Sequence, residues 1–247
     1  MASGTGWYVY GVIPPDLEVV PGSTGVAGAA VELVREGGVA ALVSRIDLDT
    51  PLDKPEDLVA HKDLLDATAA DAPVLPFRFG AVLGSRSAVV DELLEPHEEE
   101  FAEALRQLEG ETQYVVRARY RDETVLREIL AENPEAQRLR ESIGRKTPES
   151  AESLRIGLGE IINAAVEEKR DADTKALIET LDPLTVATAI RPPTHEFDAA
   201  HLAILEQVEQ HSSVEDALTA LAENWAGRAT VRLLGPMAPY DFVVTTQ

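Results

Sequence analysis

Hydrophobic and polar positions in the first half of the chain predict three strands before the first helix. Residues 7–13 (WYVYGVI) are aromatic and β-branched, and two prolines follow them, which is typical of a strand and its end. Residues 30–35 and 39–46 are two further β-prone runs. The Gly37-Gly38 pair between these runs predicts a hairpin with positive φ at both glycines.

A helix is predicted after the hairpin, from the capping-box spacing of Asp53 and Glu56 to about Ala70. Its periodicity places Leu58 and Leu65 toward the core. Residues 74–80 then form a short strand or extended segment.

A second amphipathic helix is predicted over residues 87–108, where Gly110 supplies the stop and Pro96 should kink or divide it. One face is acidic and carries no basic residue. The apolar stripe recurs every three or four residues and comprises Val90, Leu94, His97, Phe101, Leu105 and Leu108.

The second half begins with a strand over residues 114–121, because apolar and arginine positions alternate there with period two. Residues 133–150 are interpreted as a loop or a broken helix, and residues 200–207 as a strand or a short helix. Ser212 and Glu215 form a second capping box. Further helices are predicted at 122–132, 151–169 and 173–181, and strands at 185–190 and 230–234.

This order of elements predicts an α+β fold in two domains. Residues 1–110 would form an N-terminal α+β domain. Residues 111–247 would form a C-terminal domain of the split βαβ, or ferredoxin-like, type with extra helices, since strand, helix, strand, strand, helix, strand is the order of that motif.

Charge and composition exclude several classes of protein. The chain has 247 residues, with 22 Lys+Arg against 44 Asp+Glu, a net charge of −22. Such a chain repels nucleic acid, so no nucleic-acid partner is expected. The absence of cysteine excludes disulfide scaffolds and thiolate zinc sites. No membrane association is expected, because no apolar run is long enough to span a bilayer, and the amino terminus lacks the features of a signal peptide. A cytoplasmic location is the expectation.

The sequence contains none of the common catalytic or nucleotide-binding motifs, such as the Walker A, G-x-S-x-G or H-E-x-x-H patterns. His97 is followed by three glutamates, but consecutive helical residues point about 100° apart and cannot converge on one ion. The motif search therefore identifies no catalytic, metal or cofactor residues, and we expect none.

Arg117, Arg119 and Arg121 fall on one side of the predicted strand, and Arg232 can share their face of the sheet. Two interpretations remain open. The arginines pair across strands with carboxylates, or they form a docking face for an anionic segment.

Three segments together resemble the gas vesicle accessory proteins of the GvpL/GvpF type. They are the N-terminal strand at 7–12, the run VLPFRFG at 74–80, which is similar to the family's L-P-[FM]-R-F-G, and the run LGPMAPYDFV at 234–243, which is similar to its G-P-[WLM]-x-P-Y-[SD]-F. His61 precedes the second segment, where the family also tends to have a histidine. Relatives commonly have Trp and Pro at the positions of Met237 and Ala238.

The resemblance implies a non-enzymatic assembly factor that binds the main gas vesicle shell protein and assists nucleation or assembly. It also implies other gas vesicle proteins as possible partners and a place with gas vesicles in the cytoplasm. The alternatives are a minor structural component of the shell or a small-molecule-binding ferredoxin-like protein. We expect the N-terminal domain to bind the partner, since its hairpin and first strand offer an edge.

The motif residues also have a physical interpretation. Alternation sends Phe77 and Phe79 to one side, into the core, and Arg78 to the other. The glycine-proline pair makes a sharp turn, after which two aromatic residues pin the tail to the body. The candidate partner-binding or motif residues are Trp7, Tyr8, Tyr10, Phe77, Arg78, Phe79, Gly80, Gly235, Pro236, Tyr240 and Phe242.

Overall fold

A computed structural model describes residues 4–147 and 149–243. Within these residues the chain forms two compact units. The first comprises residues 4–114, 205–208 and 235–243, and the second comprises residues 115–147, 149–204 and 209–234. Whether 1–110 and 111–247 are independently folding domains stays a prediction.

The strands of the first unit are β1 (Thr5–Ile13), β2 (Val31–Glu36), β3 (Val39–Asp47), β4 (Leu75–Pro76) and β5 (Val82–Leu83). They form one sheet in the order β2-β3-β1-β4, with β5 also paired to β1. All these pairings are antiparallel, and the register of β1 against β3 shifts between Val9 and Gly11. The expectation that the first strand offers an edge was wrong, because β1 pairs with β3 on one side and with β4 and β5 on the other.

The predicted hairpin is present, with Glu36 opposite Val39 and two glycines between them. The prediction of positive φ at both glycines was wrong, because only Gly37 has a positive φ, of 49°. A two-residue turn of the II′ type requires positive φ at its first central position alone. Glu98 contacts the turn, where its Oε1 accepts a hydrogen bond from Gly38 N at 2.7 Å.

The first helix, α1 (Pro55–Asp71), departs from the prediction at its start and on one face. The capping box is absent, because Lys54 is the N-cap and no side chain caps the helix. Leu65 is buried as predicted, but Leu58 is 54% exposed. The buried face instead follows Asp57, His61 and Leu65, four residues apart, and Leu58 lies about 100° away from that line.

The predicted helix over 87–108 is interrupted by a π-helical turn next to Pro96. It consists of α2 (Arg86–Ala88), the π-helical turn (Val89–Leu94) and α3 (Glu95–Gln107), with helical backbone where they join. Proline lacks the N–H that would bond into the preceding turn, so the regular hydrogen-bond pattern breaks there and the wider turn lies before it. Three positions of the predicted stripe, Leu94, Leu105 and Leu108, are buried.

The second sheet has the order β7-β8-β6-β9. Along the chain its elements follow the order strand, helices, strand, strand, helix, strand, which is the order of the split βαβ motif. The strands are β6 (Glu111–Tyr120), β7 (Ala187–Ile190), β8 (Asp198–Gln207) and β9 (Ala229–Met237), and the helices are α4 (Asp122–Glu132), α5 (Pro134–Ile143), α6 (Glu152–Leu181) and α7 (His211–Asn224).

Several expectations for the second half are corrected. The two helices predicted at 151–169 and 173–181 are one helix of 30 residues, since no glycine or proline lies between the two predicted segments. Residues 133–150 include α5, whose N-cap Asn133 accepts hydrogen bonds from Glu135 N and Ala136 N, both at 3.0 Å. The capping box at Ser212 is absent, because α7 starts two residues earlier, with Gln210 in place of Ser212 as N-cap. Residues 200–207 are strand.

Helices and antiparallel strands together confirm the α+β class. Short 3-10 turns occur at Val26–Gly28, Glu149–Ala151, Asp182–Leu184 and Val208–Gln210. Among the residues that the structure describes, no helix has the length and apolar character needed to cross a bilayer.

Candidate functional site: a buried histidine–tyrosine cluster

The three motif segments of the sequence meet around His61 in the first unit. His61 lies on the buried face of α1 and is 2% exposed. Its Nδ1 is 2.8 Å from the hydroxyl of Tyr8 on β1. Its Nε2 is 3.2 Å from the carbonyl oxygen of Phe77 and 3.1 Å from the hydroxyl of Tyr240. One imidazole therefore connects the strand, the extended segment and the C-terminal segment.

The hydrogen bonds fix the protonation state of His61. The carbonyl oxygen of Phe77 can only accept a hydrogen bond, so in the neutral imidazole Nε2 carries the proton and donates to it. Nδ1 then accepts from the Tyr8 hydroxyl, whose oxygen accepts from Gly80 N at 3.1 Å. Burial lowers the pKa of His61, against the opposing effect of its hydrogen bond to Phe77. Burial likewise raises the pKa of Tyr8 to about 12. Both groups are neutral near pH 7.

Aromatic rings enclose this histidine. Tyr10 stacks on it with ring centroids 5.7 Å apart and an angle of 29° between the planes, and the Phe79 ring meets it edge-on at 5.6 Å. The ring centroids of Tyr8 and Tyr10 lie 4.8 Å apart. The Tyr10 hydroxyl accepts from Val26 N at 2.8 Å and donates to Ser44 Oγ at 2.9 Å. We call Tyr8, Tyr10, His61, Phe79 and Tyr240 the histidine–tyrosine cluster.

The C-terminal segment is held by backbone contacts as well as by Tyr240. Ala238 is fully buried and donates its N–H to Asp66 Oδ1 at 3.0 Å. Gln113 makes two bonds to Asp241: its Nε2 donates to Oδ2 at 2.7 Å, and its Oε1 accepts from the Asp241 N–H at 3.1 Å. Residues 238–241 are thus attached to α1 and to the start of β6.

The cluster is suited to holding segments together. Both nitrogens of the neutral imidazole have partners supplied by the protein, and the Tyr8 hydroxyl both donates and accepts. Within the described part of the chain, no carboxylate, serine or threonine side chain hydrogen-bonds to His61. Across residues 4–147 and 149–243, no group of three or more His, Cys, Asp or Glu side chains is arranged to hold a metal ion.

The arginines of β6 have partners inside the second unit. Arg117 contacts the fully buried Asp198, with its Nη2 3.2 Å from Oδ1. Burial alone would raise the pKa of Asp198, but hydrogen bonds from Thr194 and Arg117 outweigh that effect and lower it. Arg119 Nη2 lies 2.8 Å from Nε2 of His195. Arg117 fits the interpretation as a partner of a carboxylate, whereas Arg119 meets a histidine and Arg121 lies outside the strand as the N-cap of α4.

Sequence reasoning missed a second polar cluster, around Arg228. The Arg228 guanidinium binds Asp173 with two bonds of 2.9 and 2.7 Å, and Tyr120 donates to the same carboxylate. The guanidinium also lies 5.2 Å from the Tyr120 ring centroid and 6.0 Å from that of Trp225. Only the alternation that sends Tyr120 inward indicated a part of this cluster.

Comparison with known proteins assigns the chain to a family. The family model described as gas vesicle synthesis protein GvpL/GvpF matches residues 6–244. The chain belongs to the GvpL/GvpF family. Gas vesicle protein F of Streptomyces sp. (strain CB03234) is 32% identical over 243 residues, which cover 96% of this chain and 98% of that protein. Gas vesicle protein L1 of Halobacterium salinarum is 26% identical over 240 residues, covering 89% and 83% of the two chains.

Solved structures of GvpF proteins share the fold. The crystal structure of GvpF from Anabaena sp. PCC7120 superposes with a TM-score of 0.78 at 21% identity and covers 98% of this chain and 100% of its own. The crystal structure of GvpF from Microcystis aeruginosa gives a TM-score of 0.76, also at 21% identity, over 97% and 99% of the two chains.

The GvpL/GvpF motif residues differ in their surroundings. Tyr8, Tyr10, Phe79 and Tyr240 belong to the histidine–tyrosine cluster. Gly80 has a φ of 97°, and Gly235 one of 146°. Phe77 meets Phe101 of α3 edge-on at 6.4 Å, and Trp7 lies 5.7 Å below the guanidinium of Arg86. Pro236 and Arg78 are exposed, and Phe242 is half-buried. Among the described residues, Arg78 has no hydrogen-bonding or ionic partner.

Proposed function

We propose that this protein is a non-enzymatic assembly factor that binds the main gas vesicle shell protein and assists nucleation and assembly of the vesicle. The observation that carries the proposal is membership of a family of gas vesicle synthesis proteins across residues 6–244. Relatives named gas vesicle protein F, matched over almost their whole length, support the same context. Other gas vesicle proteins are further partners under this proposal, and the protein would work in the cytoplasm, where vesicles form.

The charge distribution supports such a role physically. An apolar subunit that polymerises must be kept from aggregating before it joins the shell. A complex that carries the −22 charge of this chain is repelled by its own copies, which keeps it dispersed. Around α3 the acidic face is solvent-facing, with Asp91, Glu92, Glu95, Glu99, Glu100 and Glu103 all exposed.

Co-purification tests the proposal. The shell protein of the same organism is co-expressed with the full-length tagged chain, and the amount retained per tagged molecule is compared with that on an unrelated acidic protein of similar size and charge. Retention well above the control supports binding, whereas retention equal to the control refutes it.

The abundance of the protein on finished vesicles separates an assembly factor from a permanent shell component. Purified vesicles are washed with urea and probed for this chain. An assembly factor should be scarce compared with its amount in growing cells. Stoichiometric retention after the wash would favour the structural role instead.

A further inference from the structure

A groove of about 550 Å³ lies in the first unit, away from the histidine–tyrosine cluster. Its walls are the chain after β1 (residues 14–17), the C-terminal ends of α1 and α3, and residues 108–112. The volume is in the range, about 300–1,000 Å³, of pockets that enclose a ligand or several side chains. The apolar side chains that line it are aliphatic: alanines and prolines, including Ala69, Ala70 and Ala102, together with Leu17, Leu105, Leu108 and Val208.

The rim of the groove is negatively charged. Asp16, Asp71, Glu109 and Glu111 line it, against a single cation, Arg106. That arginine is already paired with a glutamate of its own helix. Within the described residues, the side chains of Asp16, Asp71 and Glu109 have no partner. Glu111 accepts a hydrogen bond from Gln207 at 3.0 Å, and burial raises its pKa. The rim thus offers carboxylates that no protein cation neutralises.

The C-terminal ends of two helices add to the negative electrostatic potential of the groove. Helix α1 ends at Asp71 and α3 ends at Gln107, and the last turns of both line the groove. The final carbonyl groups of a helix carry a partial negative charge that favours cations. The last turn of α1 contains no basic residue that would offset it.

We propose that this groove binds a segment of the gas vesicle shell protein in which small aliphatic side chains are flanked by lysine or arginine. The walls accept the aliphatic groups, and the carboxylates with the two helix ends attract the cation. The same charges disfavour nucleic acid and anionic lipid. The inference rests on the proposed function, since it takes the shell protein as the partner, and it adds the surface and the chemistry of recognition.

Charge reversal with a matched control tests the electrostatic part. The double variant Asp71→Lys and Glu109→Lys reverses two exposed, unpaired rim charges. The control, Asp63→Lys and Glu99→Lys, makes the same charge change at exposed positions of α1 and α3 outside the groove. In the co-purification assay, the groove variant should retain about ten-fold less shell protein, and the control should change by less than about two-fold. Added salt should weaken retention by the wild type.

A photo-crosslinking experiment locates the contact without relying on the folding of a charge variant. A photoreactive phenylalanine replaces Ala70, which lines the groove, or Leu58, an exposed position of the same helix outside it. Crosslinking from position 70 should capture a shell-protein peptide that contains lysine or arginine. Position 58 should give little or no adduct.

The outcomes separate the two proposals. Suppose that the wild type retains shell protein. If the groove and control variants then retain it equally, or if position 70 gives no more adduct than position 58, the groove is not the binding surface. The proposed function stands in that case. If the wild type retains no shell protein, the proposed function is refuted, and the assignment of this occupant to the groove with it.

Discussion

Removal of a single hydroxyl group tests the histidine–tyrosine cluster. In Tyr8→Phe the ring and its packing remain, but the oxygen that accepts from Gly80 N and donates to His61 Nδ1 is lost. His61 cannot compensate by changing tautomer. With the proton on Nε2, the buried Nδ1 has no donor, and with the proton on Nδ1, the carbonyl oxygen of Phe77 loses its donor from the ring.

The expected loss follows from these unpaired groups. A buried polar group left without a partner costs about 1–3 kcal/mol, and the Gly80 N–H adds less because Gly80 is exposed to water. We expect Tyr8→Phe to lower the free energy of unfolding by about 2–4 kcal/mol. The matched control is Tyr240→Phe. Tyr240 is 38% exposed, and without its hydroxyl the Nε2 proton keeps Phe77 O as acceptor. The free energy of unfolding of Tyr240→Phe should fall by only about 0.5–1 kcal/mol, which is the net value of one hydrogen bond.

Urea denaturation followed by tryptophan fluorescence measures this difference. The chain has two tryptophans, of which Trp7 lies on β1 beside Tyr8 and Trp225 lies in the second unit. With all variants made in a Trp225→Phe background, the fluorescence reports the first unit alone. A lower midpoint at an unchanged slope gives the change in stability. The reasoning is refuted if Tyr8→Phe costs less than about 1 kcal/mol or no more than Tyr240→Phe.

Three further predictions concern other polar and backbone contacts. Burial lowers the pKa of His61 below 6.5, so the unfolded chain takes up the proton first as the pH falls; stability should be full above about pH 6.5 and decline below it. The decline should be shallower in His61→Gln, and equal urea-midpoint profiles from pH 8 to 5 for the wild type and this variant would contradict the prediction. Asp173→Asn should cost about 2–3 kcal/mol because it weakens a charge-assisted, bidentate pair, and a shift in thermal midpoint of less than 1 °C would argue against that role. Gly235→Ala should lower the free energy of unfolding by about 1–3 kcal/mol, because Gly235 has a φ of 146° and a Cβ there would lie 2.6 Å from a tyrosine ring carbon. The control Gly84→Ala has open space around the added Cβ and should unfold at nearly the wild-type urea concentration.

Local patterns determined most of the elements. The period-two alternation of residues 114–121 predicted strand β6 correctly, because this pattern depends on the strand's own residues and not on its neighbours. Pro96 predicted the interruption of the second helix, since the effect of a missing N–H is confined to one turn. The failures are of two kinds. The capping boxes predicted at Asp53 and Ser212 are absent, because Lys54 and Gln210 are the N-caps of the two helices. Leu58 is exposed, because the buried face of α1 runs through His61 and Leu65.

The candidate sites depended on tertiary structure to different degrees. The sequence alone determined the family, the acidic charge and the segments that carry the motifs, since these are properties of residue order and composition. It placed His61 on a helix but could not give its partners, because Tyr240 is 179 positions away and only the folding of the C-terminal segment onto α1 brings the two side chains together. The groove is hidden from the sequence for the same reason: its aliphatic walls and carboxylates come from chain segments whose ends meet only in the folded unit. Periodicity reports which face of one element is buried, whereas a site requires the faces of several elements to converge, and packing decides that.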